Sequence, residues 1–179
     1  MESRAKLLGH AIHPMLVMFP LGLLITATFF DIAGMVSGYE AWHQAAFWMI
    51  GTGTVAGFVA SVFGIVDWVA IPMGTRAKSV GLIHGVVNLA MLALFLIAWL
   101  LRRGQASVLD PGWIPIALQV IAVGMSGVGA WLGGELVERL GIGVDNGAHP
   151  NAPSSLSGRP ADEREDGTNP VGRPVKARG

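Results

Sequence analysis

Residues 89–101 read LAMLALFLIAWLL, with no charged side chain and no polar face. A helix on the surface of a soluble domain shows charges every turn or two along its solvent side. This stretch has nothing to show water, so its surroundings must be lipid. Working outward, 80–101 becomes one membrane span, and three more stretches of the same character appear at 11–36, 43–70 and 113–138. Each carries about twenty apolar residues, enough to cross a hydrocarbon core of roughly 30 Å. Composition agrees: of 179 residues, 52% are hydrophobic and 13% charged, and the charges cluster outside the four stretches.

The predicted fold class is therefore all-α, a polytopic bundle of four transmembrane helices threaded up-down-up-down over residues 1–140. A Pro-, Gly- and Ser-rich tail, 141–179, follows, and its segments ADERED and GRPVKARG are too poor in apolar groups to order themselves. Pro14 suits a first helical turn, and Pro20, deeper in the same span, should kink it. Trp42, Trp68, Trp99 and Trp113 fall near the span ends, as an aromatic belt requires.

A formal net charge of zero argues against nucleic acid as a partner, and leaves the lipid bilayer as the certain one. The chain has no cysteine, which excludes thiolate metal sites, cysteine-ligated iron–sulfur clusters and covalent haem attachment. No nucleophile with a paired base and no phosphate-cradling loop points to a hydrolase or transferase, so the reading leans away from an enzyme. Arg4, Lys6, Arg76, Lys78 and Arg139 fall on one side of the bundle and Arg102 and Arg103 on the other. The balance predicts both termini in the cytoplasm.

Antiparallel threading gathers His10, His13, Asp67, His84, Asn88 and Glu135 at one membrane face. Asp67 and Glu135 end their helices while His13 and His84 begin theirs, the reverse of what helix dipoles favour. Pairing of each acid with an imidazole on another helix is the expected resolution, and Asp31 with His43 repeats the inversion at the opposite face. His13 and His84 lie at equal depth, and His84 shares a helix face with Asn88. Two level histidines suit axial ligation of a b-type haem, a metal ion or a proton relay. His43 and His149 are given little weight. Glycine ridges on the second span (Gly53, Gly57, Gly64) and the fourth (Gly129, Gly133) allow close helix packing, or room for a flat cofactor. The spans also suggest a loose parallel repeat: His13 to Gly64-Ile65-Val66-Asp67 in the first pair, His84 to Gly133-Gly134-Glu135 in the second.

Gly9-His10-Ala11-Ile12-His13-Pro14-Met15-Leu16-Val17-Met18-Phe19-Pro20 resembles the signature of a bacterial membrane family, domain of unknown function 2231. Gly64-Ile65-Val66-Asp67-Trp68, His84-Gly85-Val86-Val87-Asn88 and Gly133-Gly134-Glu135-Leu136-Val137 fit it in order, over about residues 8–145. The resemblance implies a four-helix protein of the bacterial inner membrane with motif residues His13, Asp67, His84 and Asn88, and no assigned activity. Some relatives look to be joined to Rieske-type iron–sulfur domains, which implies redox company. Without cysteine, this chain would need a separate redox partner protein. Three readings stay open: a redox component with haem or a metal at His13, His84 and Asn88; a small proton- or ion-linked transporter, which with four spans would need a homo-oligomer; and a structural or assembly subunit. His10, Asp67 and Glu135 would complete the polar network in each.

Overall fold

The computed structural model describes residues 1–103, 106–163 and 168, with the side chains of 106 and 107 left aside. A two-stranded antiparallel hairpin, β1 (Lys6–Leu7) and β2 (His10–Ala11), leads into α1 (Ile12–Ser37). There follow α2 (Glu40–Ala70), α3 (Arg76–Leu101), a short α4 (Ala106–Leu109) and α5 (Trp113–Gly134), which runs on as a π-helical turn, Glu135–Arg139. The long helices α1, α2, α3 and the joined α5 segment are each long and apolar enough to cross a membrane.

Local chemistry sets the helix ends. Gly38, at φ 69°, caps α1 and donates its N–H to Gly34 O, in a backbone conformation that suits glycine. Ile71-Pro72 stops α2, since the residue before proline is driven out of the helical region. Thr75 caps α3 by accepting from the Lys78 N–H at 3.2 Å. Through Pro20 the helix α1 continues unbroken, and Pro20 itself is buried.

Along their lengths α1 packs on α2 and α3 on α5, and α2–α3 and α1–α5 contacts close the ring. That leaves α1 and α3 diagonally opposite. Leu24, Ala27, Ala46, Ile50, Met91, Leu92, Phe95 and Ala122 fill the middle. The outward faces carry Phe19, Phe29, Val62, Val86, Ile121 and Trp131 into the lipid zone, all well exposed. Large apolar side chains on the outward faces as well as in the core are the pattern of a bundle whose solvent is hydrocarbon.

The repeat suggested by the motifs extends over whole helices. A shift of 71 residues carries Asp31 onto Arg102, and the same shift takes His13 to His84, Leu24 to Phe95 and Ala27 to Ala98. Both members of each of the last two pairs are buried. With a slightly shorter constant shift, the buried positions Ala46, Phe47, Ile50, Gly53, Gly57 and Ala60 of α2 fall on Pro115, Ile116, Gln119, Ala122, Ser126 and Gly129 of α5, all buried. The burial pattern thus repeats from one helical hairpin to the next, and two residues touch their counterparts in the shifted half, His13 with His84 and Asp31 with Arg102.

Residues 141–163 carry turns and one 3₁₀ turn, Ser155–Ser157, and they are fastened to the N-terminal segment. Gly143 N–H donates to Met1 O at 2.8 Å, Lys6 Nζ reaches Glu2 at 3.0 Å and Asp145 at 2.5 Å, and His10 Nε2 meets Ser155 Oγ at 3.2 Å. These long-range contacts are absent from the sequence reading, because composition does not show which loop a polar segment will lie against. The rest of the predicted tail, except Thr168, lies outside the described residues. The bond to Asp145, helped by Glu2, raises the Lys6 ammonium above its ordinary 10.5 against the lowering effect of burial. A raised cation stabilises fully below 10.5 and loses its contribution as pH climbs through the folded value. Hydrogen exchange at the Lys6–Ala11 hairpin should therefore stay unchanged from pH 7 to pH 9.5 once intrinsic rates are corrected. Release of the clamp within that window would contradict the assignment.

Candidate functional site

At the end of the bundle that carries the N-terminal hairpin, His13 in the first turn of α1 and His84 in α3 meet across the diagonal. Their ring centroids are 6.3 Å apart and the rings nearly perpendicular, at 84°. His13 Nδ1 lies 2.8 Å from Ala60 O and His84 Nδ1 3.0 Å from Gly129 O. Those two carbonyls are themselves equivalents in the repeat. A carbonyl can only accept, so each Nδ1 carries a hydrogen, and in the neutral imidazole Nε2 then bears the lone pair.

Glycines make room for these rings. A Cβ at Gly64 would stand 3.0 Å from the His13 ring, and one at Gly133 3.3 Å from the His84 ring. At Gly129 it would stand 2.6 Å from Asn88 Oδ1. The glycine ridges are occupied by the imidazoles and the amide. Asn88 Nδ2 donates to His84 O at 2.8 Å, and the same nitrogen lies 3.3–3.4 Å from both nitrogens of the His84 ring. Of the residues singled out by sequence, His13, His84 and Asn88 come together.

The three others find different partners, and the expected acid–imidazole pairing at this face is corrected. Asp67 accepts from Ser3 Oγ at 2.8 Å, Arg4 N–H at 2.7 Å and Ala5 N–H at 3.3 Å. It pins the N-terminal segment across the end of α2. Glu135 pairs with Arg76 at 2.6 Å, where Arg76 is largely exposed. His10 sits exposed on β2 against Ser155. The physical reason is supply: at a wet helix end, free backbone N–H groups and a guanidinium are nearer and stronger donors than a neutral imidazole tied to a carbonyl.

The inversion at the opposite face does close. His43 Nδ1 donates to Asp31 Oδ1 at 2.8 Å, and Arg102 and Gln119 Nε2 donate to Asp31 Oδ2 at 2.6 and 2.7 Å. Arg102 also donates to His43 O at 2.8 Å. Asp31, Arg102 and Gln119 are wholly buried and His43 nearly so. Burial pushes the Arg102 guanidinium below its ordinary value and Asp31 beside it opposes the shift. It remains a cation at physiological pH. Arg102 Nε and Gln119 Oε1 find no hydrogen-bond partner among the described residues. Gly34 lies under the His43 ring, where a Cβ would come within 2.6 Å.

This cluster is what sequence reasoning underweighted. Arg102 read with Arg103 as one of two basic residues at the opposite face, and Gln119 was not singled out. The signal was available: Gln119 is the lone amide in an otherwise apolar span, and Asp31 needs compensation wherever it is buried. Among the described residues, no group of three or more His, Asp or Glu converges as a metal ion would need.

Compared with known families, the chain matches one described as "Predicted membrane protein (DUF2231)" over residues 9–146. No curated protein matches it, and no solved structure does.

Proposed function

The chain belongs to the DUF2231 family of membrane proteins, and from that premise we propose that it is a redox component holding one b-type haem between His13 and His84. One observation carries this reading: across the bundle diagonal, each imidazole gives its Nδ1 hydrogen to a helix carbonyl and, in its neutral form, keeps its Nε2 lone pair. Tying the far nitrogen in this way fixes the tautomer and orientation of a metal-ligating histidine. His13 and His84 would hold such a group from two helices that face each other across the diagonal. Donor number favours haem over a bare ion, since zinc takes three or four protein ligands and two histidines would suffice to hold haem.

When bound, the haem would supply one-electron chemistry. The chain's own residues hold the rest: Ala60 and Gly129 carbonyls orient the ligands, Gly64 and Gly133 give them space, and Asn88 braces the His84 turn. An electron partner would be a separate protein, approaching from the face of the N-terminal hairpin. We place that face in the cytoplasm of a bacterial inner-membrane protein. With Arg102 spent on Asp31 in the interior, the remaining basic residues favour it more strongly than the raw count. A proton-conduit reading is less well supported, because Leu24, Ile50, Leu92 and Phe95 close the middle between the two polar ends.

Protein purified in detergent from haem-supplemented cells should show a reduced-minus-oxidised Soret change with about one haem per chain. His84→Ala and His13→Ala should each abolish it while the protein still elutes as a folded species. A colourless wild type sinks the haem reading. If, in addition, both variants lose thermal stability, the histidines act as packing pins of a structural subunit.

A further inference from the structure

At the Asp31 end, a cavity of about 400 Å³ opens between the α1–α2 turn and the segment joining α4 to α5. Such a volume lies within the range of small-molecule sites. His43 lines it and is only 7% exposed. Its Nδ1 is committed to Asp31, which in the neutral imidazole leaves the lone pair on Nε2, and no hydrogen bond engages that atom among the described residues. Glu40 and Asp110 also line the cavity, and both are exposed at its rim. Met35, Leu109 and Ile116 supply apolar walls and Trp113 an aromatic one.

Among the described residues, the polar side-chain atoms around this space are acceptors: two carboxylates and, in the neutral ring, one imidazole nitrogen. The indole N–H of Trp113 is the exception. The nearest buried cation, Arg102, is neutralised by Asp31 behind the histidine and does not oppose a second positive charge. A complementary guest must therefore donate hydrogen bonds and carry positive charge, and its body must tolerate apolar and aromatic walls. We propose that this cavity binds an amphiphilic organic cation with at least one N–H, donated to His43 Nε2 and balanced by Glu40 and Asp110. A primary-amine lipid headgroup and a soluble amine share that chemistry. The site lies at the other end of the bundle from His13 and His84, and stands or falls separately from the haem reading.

Dansylcadaverine, a primary amine with an apolar fluorescent ring, serves as the probe, with the full chain in phosphatidylcholine nanodiscs. Its fluorescence should rise saturably, and the double variant Glu40→Gln/Asp110→Asn should weaken binding at least about tenfold. Both positions are exposed, and an unchanged melting temperature confirms that the variant is folded. Hexylamine should displace the probe and hexyltrimethylammonium, which has no N–H, should not. Non-saturable binding, unchanged affinity in the double variant or equal competition by the quaternary amine overturns the proposal. Weaker probe binding in phosphatidylethanolamine nanodiscs identifies the headgroup as occupant, and equal binding in both lipids identifies a soluble amine.

Discussion

Asp31→Asn should lower the unfolding free energy in detergent by about 3–5 kcal/mol, the cost of leaving a buried charge without its partner. The side chain it replaces accepts hydrogen bonds from His43, Arg102 and Gln119, with no surface of its own exposed. An amide of the same shape cannot neutralise Arg102, and a guanidinium cannot shed its proton. Arg102→Met should cost less, because the stranded carboxylate can be protonated or can share a proton with His43. The double variant Asp31→Leu/Arg102→Met should recover a large part of the Asp31→Asn loss, as buried pairs replaced by apolar groups commonly do. Denaturant titration of the three proteins reads the order directly. Equal destabilisation by both single variants, or none from Asp31→Asn, would contradict an ion pair sealed from water.

The membrane fold was legible because the information was local. LAMLALFLIAWLL admits no soluble helix, although α3 begins at Arg76, ahead of the start expected at residue 80, because Thr75 caps it there. The meeting of His13 with His84 was legible too, since antiparallel threading fixes the level of each helix end. Pairing within a level was not. Asp67 looked like a partner for an imidazole, yet its partners are backbone N–H groups of a loop whose path no periodicity reveals. Arg102 looked like a basic residue at the opposite face because its burial depends on α1, α2 and α3 closing around Asp31. Dipole arguments concern a few tenths of a kcal/mol at wet ends, too little to rank competing donors. The repeat was visible only as two motif pairs, since most equivalent positions match in burial and differ in residue type: Leu24 with Phe95, Ile50 with Gln119.

That mismatch in residue type yields the second large effect. Gly129→Ala should destabilise the protein by about 1–3 kcal/mol, as overpacking does, because the new methyl would stand 2.6 Å from Asn88 Oδ1. Gly124 and Gly127 lie on the same helix with open space around their would-be Cβ atoms. Alanine at either should be neutral or stabilising by up to about 1 kcal/mol, the ordinary helix preference. The difference between these like substitutions isolates contact from propensity. In the other half of the repeat the equivalent of Gly129 is Ala60, and the 71-residue shift places Val17 where Asn88 stands. There a methyl is already tolerated beneath the carbonyl that holds His13. Asn88→Val/Gly129→Ala makes the second half imitate the first, and should regain most of the stability lost in Gly129→Ala. It should also keep His84 on its carbonyl, so that any Soret signal of the wild type persists. Failure of the double variant to recover would mean that Gly129 is needed for backbone approach between α3 and α5 rather than for the space Asn88 takes.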